Sequence, residues 1–400
     1  MQRFSETDIK GFANELRLLR IEIEAKIGRE DFVHLRKIEL WGRICTLIGY
    51  ATSWIFPNPL SAILISQGNM VRWAIMMHHV GHKGYDKVPC PERYKSYNFA
   101  KGARRFIDWC DWMYPPAWNY EHNILHHYHT GETTDPDLAE RNVERIRNSK
   151  LPMFLKYLAV FLFMCTWKFT YYAPKTFWIY YQKKESRKQK NNRNNSRSKQ
   201  SEQEDYSGAR LFIPNSKASV AFWFYCLLPY VFIRFILIPA LFFPLGIKAC
   251  IFVLINSFIA EIITNIYSFI IIVPNHAGDD LYRFENGVDN SSEFFVRQVV
   301  GSVNYNCGND RLDFMHGWLN YQIEHHLFPH LPLLKYQQYQ PRIKVICEKY
   351  KVPYIQQSVF KRFGKLTDIL VGKTTMKKME NLILVTEENS EVKFNEAIIA

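Results

Sequence analysis

Apolar and polar stretches alternate along this chain on a scale longer than a single amphipathic helix. Leu40 to Phe56 is apolar apart from Arg43. Pro57-Asn58-Pro59 then interrupts it before a second apolar run, Leu60 to Met77, with Arg72 near its end. A bilayer-crossing helix needs about 20 apolar residues, with a range of roughly 17–25. Each run is just long enough, and a two-proline turn suits a tight helical hairpin. Leu151 to Tyr181 is apolar and aromatic but broken by Lys156, Lys168 and Lys175. Ala218 to Phe243 and Leu245 to Val273 carry only Arg234, Lys248 and Glu261 as charges and are the strongest membrane candidates. Before the first run, Ser5-Glu6-Thr7-Asp8 starts a helix, and Phe12, Leu16, Leu19 and Ile23 recur at helical spacing. An amphipathic segment over 1–39 is the expectation.

Composition changes this picture little. The hydrophobic share of 48% is ordinary for a globular chain, so the information lies in its distribution. The formal net charge is +13, much of it in Lys183 to Lys199, where eight basic residues face one acid, Glu185. That basic, Asn- and Ser-rich linker, 182–217, is expected to be disordered. It has no interleaved aromatics, which argues against nucleic acid as a partner. The eight cysteines form no CxxC, and several lie inside apolar runs, against a disulfide framework or a Cys-type zinc site. The polar N-terminus leads us to expect no cleavable secretory signal.

The polar segments 78–150 and 274–372 hold dense histidine clusters. His78-His79-Val80-Gly81-His82 follows the second apolar run. His122, His126 and His127 form the second cluster, His276 follows the last run, and Gln322-Ile323-Glu324-His325-His326 is the third. A spacing of four puts two imidazoles on one helical face, a usual way to offer two ligands to one metal. Adjacent histidines point about 100° apart on a helix. The pairs His126-His127 and His325-His326 therefore suit two ions side by side. Imidazole suits Zn, Cu, Fe and Ni. A catalytic zinc uses about three protein ligands, so eight candidates (His78, His82, His122, His126, His127, His276, His325, His326) favour two ions, with iron the usual choice for O₂ chemistry. Asp135, Asp137, Glu121, Glu132 and Glu324 could be ligands or acceptors that fix imidazole tautomers. His34 and His316 read as ordinary polar residues.

If the clusters form one site, they lie on one side of the bilayer. Positive loops stay cytoplasmic, so the lysine-broken run 151–181 is expected to lie in the interface without crossing. The resulting expectation is a mainly α protein. Four transmembrane helices in two hairpins, 40–77 and 218–273, carry a cytosolic helical cap over 274–372 that holds a histidine-ligated diiron centre. The termini are cytosolic, and 373–400 is a polar tail.

His-x3-His at His78–His82, His-x3-His-His at His122–His127 and Gln-x2-His-His at Gln322–His326 resemble the three histidine boxes of the integral-membrane fatty acid desaturases. The wording Asn320-Tyr321-Gln322-Ile323-Glu324-His325-His326-Leu327-Phe328-Pro329 is most similar to the Gln-headed third box of front-end desaturases. Asn275-His276 matches a further ligand position of that family, and Thr134-Asp135-Pro136-Asp137 resembles the acidic segment after box two. The resemblance covers about Leu40 to Leu333. It implies a diiron centre that uses O₂ and an acyl-lipid or acyl-CoA substrate threaded into a membrane domain, with no catalytic residues beyond the metal ligands. The implied location is the endoplasmic reticulum with the catalytic face cytosolic. No His-Pro-Gly-Gly stretch of a fused cytochrome b5 domain is present in the sequence, so an external electron donor, cytochrome b5 or a ferredoxin, is implied. The family usually has Asp where His79 stands. His79, His129 and His330 are expected around the metal ligands, and Gln322 is expected to make a hydrogen bond or water-mediated contact. A fatty acyl or sphingolipid hydroxylase on the same scaffold is the nearest rival reading; a non-catalytic metal or haem carrier is a more distant one.

Overall fold

A computed structural model of the chain describes residues 4–192, 208–288 and 291–379. The first helix, Glu6–Ala25, is capped by Ser5, whose hydroxyl accepts from the Asp8 amide (3.1 Å). Its Ile9, Phe12, Leu16, Leu19 and Ile23 are buried, as their spacing predicts. It lies against the helices Leu333–Lys349 and Ser291–Val300 and so forms part of the cap.

Arg29–Ser53 and Pro59–Met70 form the first hairpin. Asn58 caps the second helix by accepting from the Ser61 amide (2.8 Å), and Pro59 fills a first-turn position where no N–H is required. Glycines let the two helices touch. A Cβ on Gly42 would lie 2.5 Å from a Val71 methyl, and one on Gly68 would run into Thr46. Leu40, Ile44, Leu47, Ile48, Leu60 and Ile63 point outward and exposed, an apolar surface suited to lipid. The hairpin turn is tied to the helix Ile247–Ile272: Asn256 donates to the Ser53 carbonyl (2.8 Å) and accepts from the Asn58 amide (2.9 Å).

Among the described residues, three helices are long and apolar enough to cross a membrane: Met153–Lys188, Lys217–Leu245 and Ile247–His276. This differs from the four expected spans in two ways. The first hairpin is absent from the three, because Arg29–Ser53 carries Arg36, Lys37, Glu39 and Arg43 within one helix. The lysine-broken run is present, as one continuous helix whose lysines turn inward. Lys168 pairs with buried Asp111 (2.6 Å), and Lys156 donates to the Arg147 carbonyl (2.7 Å).

Two boundaries move. The expected linker begins as helix, Ala173–Asn192; its Lys, Glu and Gln residues are good helix formers. Residues 193–207 of it lie outside the described residues. The expected tail begins as a strand, Lys377–Met379, paired in parallel with Tyr282–Phe284, with Met376 and Met379 buried; residues 380–400 lie outside the described residues. The cap closes over the last apolar helix through Arg362, which donates to Asp280 (2.6 Å) and to the Ala277 carbonyl (2.8 Å).

Candidate metal centre

The histidine clusters lie at helix ends and in widened turns. Pro59–Met70 continues through a π-helical stretch, Val71–Met77, into His78–Gly81. Glu121–His126 is also π-helical. The i→i+5 bonding of such a stretch widens the turn, so His126 and His127 both stand beside His122, with ring centroids 5.2 and 4.9 Å away. The third cluster occupies Gln322–Leu327, a short helix buried along its whole length.

These elements bring all eight candidate ligands together in two abutting groups. Nitrogens of His78, His82, His122, His127 and His325 lie within 4.8 Å of one another, as do those of His126, His276 and His326. The sequence-adjacent pairs straddle the groups: His127 and His325 stand in the first, His126 and His326 in the second. His127 and His326 stack across the boundary with centroids 4.3 Å apart. A further grouping joins Asp137 to His122 and His126.

The residues fit bound metal on three counts. His78 Nε2 lies 2.9 Å from His325 Nε2 and 3.2 Å from His122 Nε2. Two ligand atoms each about 2.1 Å from one ion and at right angles would be about 3.0 Å apart. Buried Nε2 atoms of His82, His127 and His326 have no hydrogen-bond partner, a costly arrangement unless something else binds them. Burial, and then neighbouring imidazoles, push His82, His122, His127, His325 and His326 well below their ordinary pKa, and His78 falls to about 3. The neutral imidazole is the form that ligates.

An outer layer aims four of the rings. Nδ1 of His126 donates to Asp135 (2.9 Å), that of His326 to Gln298 Oε1 (2.9 Å), that of His276 to the Gly301 carbonyl (3.2 Å) and that of His325 toward the Tyr336 hydroxyl (3.4 Å). Those of His126, His325 and His326 leave Nε2 for the centre, whereas Nε2 of His276 is taken by the Gln322 amide. Burial opposes a charge on His126, yet Asp135 beside it holds the ring above its usual pKa. Asp135 is itself fixed by the Gly131 (2.9 Å) and Asp137 (2.8 Å) amides. Gln322 donates to His276 Nε2 (2.8 Å) and accepts from Asn275 (3.2 Å). His79 stacks on His78 at 4.8 Å but joins neither group.

Three residues expected near the ligands are turned elsewhere. His129 donates to Glu132 (2.8 Å) and His330 to Glu24 (2.9 Å) on the first helix. Glu324 accepts from Asn304 and Tyr354, both at 2.7 Å, and burial raises its carboxyl to about 7. It ties the third cluster to the cap and touches no imidazole, because its side chain leaves the helix on the face opposite the centre. Gln298, Gly301 and Tyr336 escaped sequence reasoning: each is isolated in the chain and carries no local signature.

A cavity of about 90 Å³ opens beside the centre. His78, His122 and His276 line one side; Trp167, Tyr172, Phe269, Val273 and Leu370 make the rest largely apolar.

A family model for fatty acid desaturases matches residues 52–358. The NADPH-dependent stearoyl-CoA 9-desaturase of Mycobacterium tuberculosis is 33% identical over 110 residues, 27% of this chain and 26% of that protein. The Delta(8)-fatty-acid desaturase 2 of Arabidopsis thaliana is 35% identical over 80 residues, 20% of this chain and 17% of that protein. The Delta(5) fatty acid desaturase A of Dictyostelium discoideum is 26% identical over 320 residues, 77% of this chain and 61% of that protein. The chain thus spans less than two thirds of each of these relatives. No solved structure matches. The family match runs across well over half of the chain and takes in every histidine of the two groups, so the chain belongs to the fatty acid desaturase family.

Proposed function

We propose that the chain is an O₂-dependent membrane desaturase that introduces a C=C bond into an acyl chain carried as an acyl-lipid or acyl-CoA. The observation that carries this reading is the pair of abutting, buried imidazole groups at the edge of an apolar cavity. The names of the relatives, which specify stearoyl-CoA and fatty acids, support it. His78, His82, His122, His127 and His325 would hold one iron, and His126, His276 and His326 the other. Iron, when bound, supplies the O₂ chemistry that removes two hydrogens from neighbouring methylenes, with two electrons drawn from an external carrier such as cytochrome b5 or a ferredoxin.

The chain's own residues do the positioning. Asp135, Gln298, Tyr336 and the Gly301 carbonyl orient ligand rings, and the Gln322 amide would yield His276 Nε2 to the metal. The aromatic wall of Trp167, Tyr172 and Phe269 keeps water from the reacting methylenes and fixes which of them pass the centre. In this reading the protein has four spans and a cytosolic catalytic face, in the endoplasmic reticulum. Contacts of the long apolar helix support its lying in the interface: Lys156 near its start reaches the Val371 carbonyl (3.4 Å), and Lys175 further on reaches Asn142 (2.8 Å). Both partners belong to segments on the histidine side.

Expression in yeast with fatty-acid and sphingoid-base profiling tests the activity. A new double bond, lost on His325→Ala, is the expected result; a new hydroxyl group in its place would assign the hydroxylase reaction. Iron analysis of the purified protein is expected to give about two ions per chain, falling by about one in His326→Ala. An active preparation with one iron per chain would refute the dinuclear arrangement.

A further inference from the structure

A second cavity, of about 210 Å³, lies between the first hairpin and the segment 93–108. It shares no lining residue with the cavity beside the histidines. Arg43, Arg72, Arg93 and Arg104 line it, with Glu39 and Asp108 as its carboxylates. Those carboxylates are already engaged. Glu39 takes Arg43 (2.5 Å) and Arg36 and accepts from the Tyr94 hydroxyl (2.6 Å); Asp108 takes Arg104 (2.7 Å).

Two guanidinium groups are left over. Among the described residues, Arg72 is part-buried with no hydrogen bond or ion pair, and Arg93 donates only to the Tyr94 hydroxyl (2.6 Å). Arg104 Nε is also buried without a partner. For Arg72, partly withdrawn from water, the lack of a counter-charge is costly. Several planar forks facing one space match the oxygens of a phosphate.

The surroundings identify the source of that phosphate. Arg43 sits on the outward apolar surface between Leu40 and Ile44, and Phe106 and Ile107 stand exposed on the other side of the cavity. A soluble anion site has no use for an exposed apolar rim, whereas a headgroup site has acyl chains to place there. Basic side chains at a membrane surface also gain from anionic lipid.

We propose that this pocket binds the phosphate of a phospholipid headgroup, with the lipid's acyl chains running down the outer face of the first hairpin. Arg72 and Arg93 supply the free charge, and Arg104 adds a donor. The assignment does not depend on the reaction proposed above.

Native mass spectrometry of the full chain, released from an uncharged detergent, provides the test. The protein is titrated with dioleoylphosphatidylglycerol and with dioleoylglycerol, which lacks the phosphate. Wild type is expected to prefer the phospholipid, and Arg72→Gln/Arg93→Gln to bind it about tenfold more weakly with dioleoylglycerol binding unchanged. Arg93 is exposed, so Arg93→Gln alone leaves folding untouched and is expected to show a part of the same loss; it decides the matter if the double variant does not fold. Equal phospholipid affinity in wild type and Arg93→Gln, with the double variant either equal or unfolded, overturns the proposal. Displacement of the phospholipid by millimolar inorganic phosphate also overturns it and assigns the pocket to a soluble phosphate.

Discussion

A carboxylate that touches an imidazole and one that merely neighbours it in sequence do different work in this site. Asp135 accepts from His126 Nδ1 and is held by two backbone amides. Asp135→Asn removes the charge that makes His126 a strong ligand while keeping its shape. Iron titration into metal-free protein is expected to show an affinity about 10–100-fold lower, with the loss partly recovered in Asp135→Glu. Glu324→Gln keeps hydrogen-bonding capacity toward Asn304 and Tyr354, so it is expected to leave iron affinity as it was. The two residues look alike in the sequence, as acids beside histidine clusters. Spacing made seven of the eight histidines legible, because a metal site built on helices leaves i, i+4 and adjacent pairs behind; His276 stands alone in the chain. The residues that aim the rings leave no such trace. Gln298 and Tyr336 come from separate helices, and only the folded chain sets them against His326 and His325.

At the scale of the element, the first hairpin depends on what is missing from its side chains. Gly68 faces Thr46 and Gly42 faces Val71 with no room for another carbon. In a membrane, where lipid is as apolar as the helix surface, close packing is what holds helices together. Gly68→Val is therefore expected to cost about 1–3 kcal/mol, read as a lower melting temperature in detergent. Gly287→Val, where a Cβ would meet nothing within 4 Å, is expected to leave that temperature unaltered. Val71–Met77 packs on Arg29–Ser53 and leads directly into His78, so the packing variant is also expected to loosen the first histidine pair. Hydropathy made the hairpin visible through its paired prolines and apolar length. It did not show the helical start of the basic linker or the strand at Lys377–Met379. Charge alone predicted solvated chain there. Helix propensity carried the first onward, and pairing with Tyr282–Phe284, almost a hundred residues away, captured the second.

For the whole molecule, the count of crossings and the placement of the histidines constrain each other. His78, His122 and His325 meet in one group, so the segments that carry them share a side of the membrane. Between His127 and His276 the chain passes through all three helices that are long and apolar enough to cross. Three crossings would put His276 across the bilayer from His126, yet their rings are 4.9 Å apart. In the proposed four-span topology one of the three returns to the side it started from. Met153–Lys188 is the one whose lysines bind histidine-side groups near its start and further along. Glycosylation acceptors inserted in a chain expressed in the endoplasmic reticulum read this directly. Acceptors at the turns Phe56–Pro59 and Pro244–Gly246 are expected to be modified. Acceptors at Ser149 and Ser186, on either side of most of the Met153–Lys188 helix, are expected to remain unmodified together. Modification of Ser149 or Ser186 alone would make that helix a true span. One of the last two helices would then have to be re-entrant for His126 and His276 to meet.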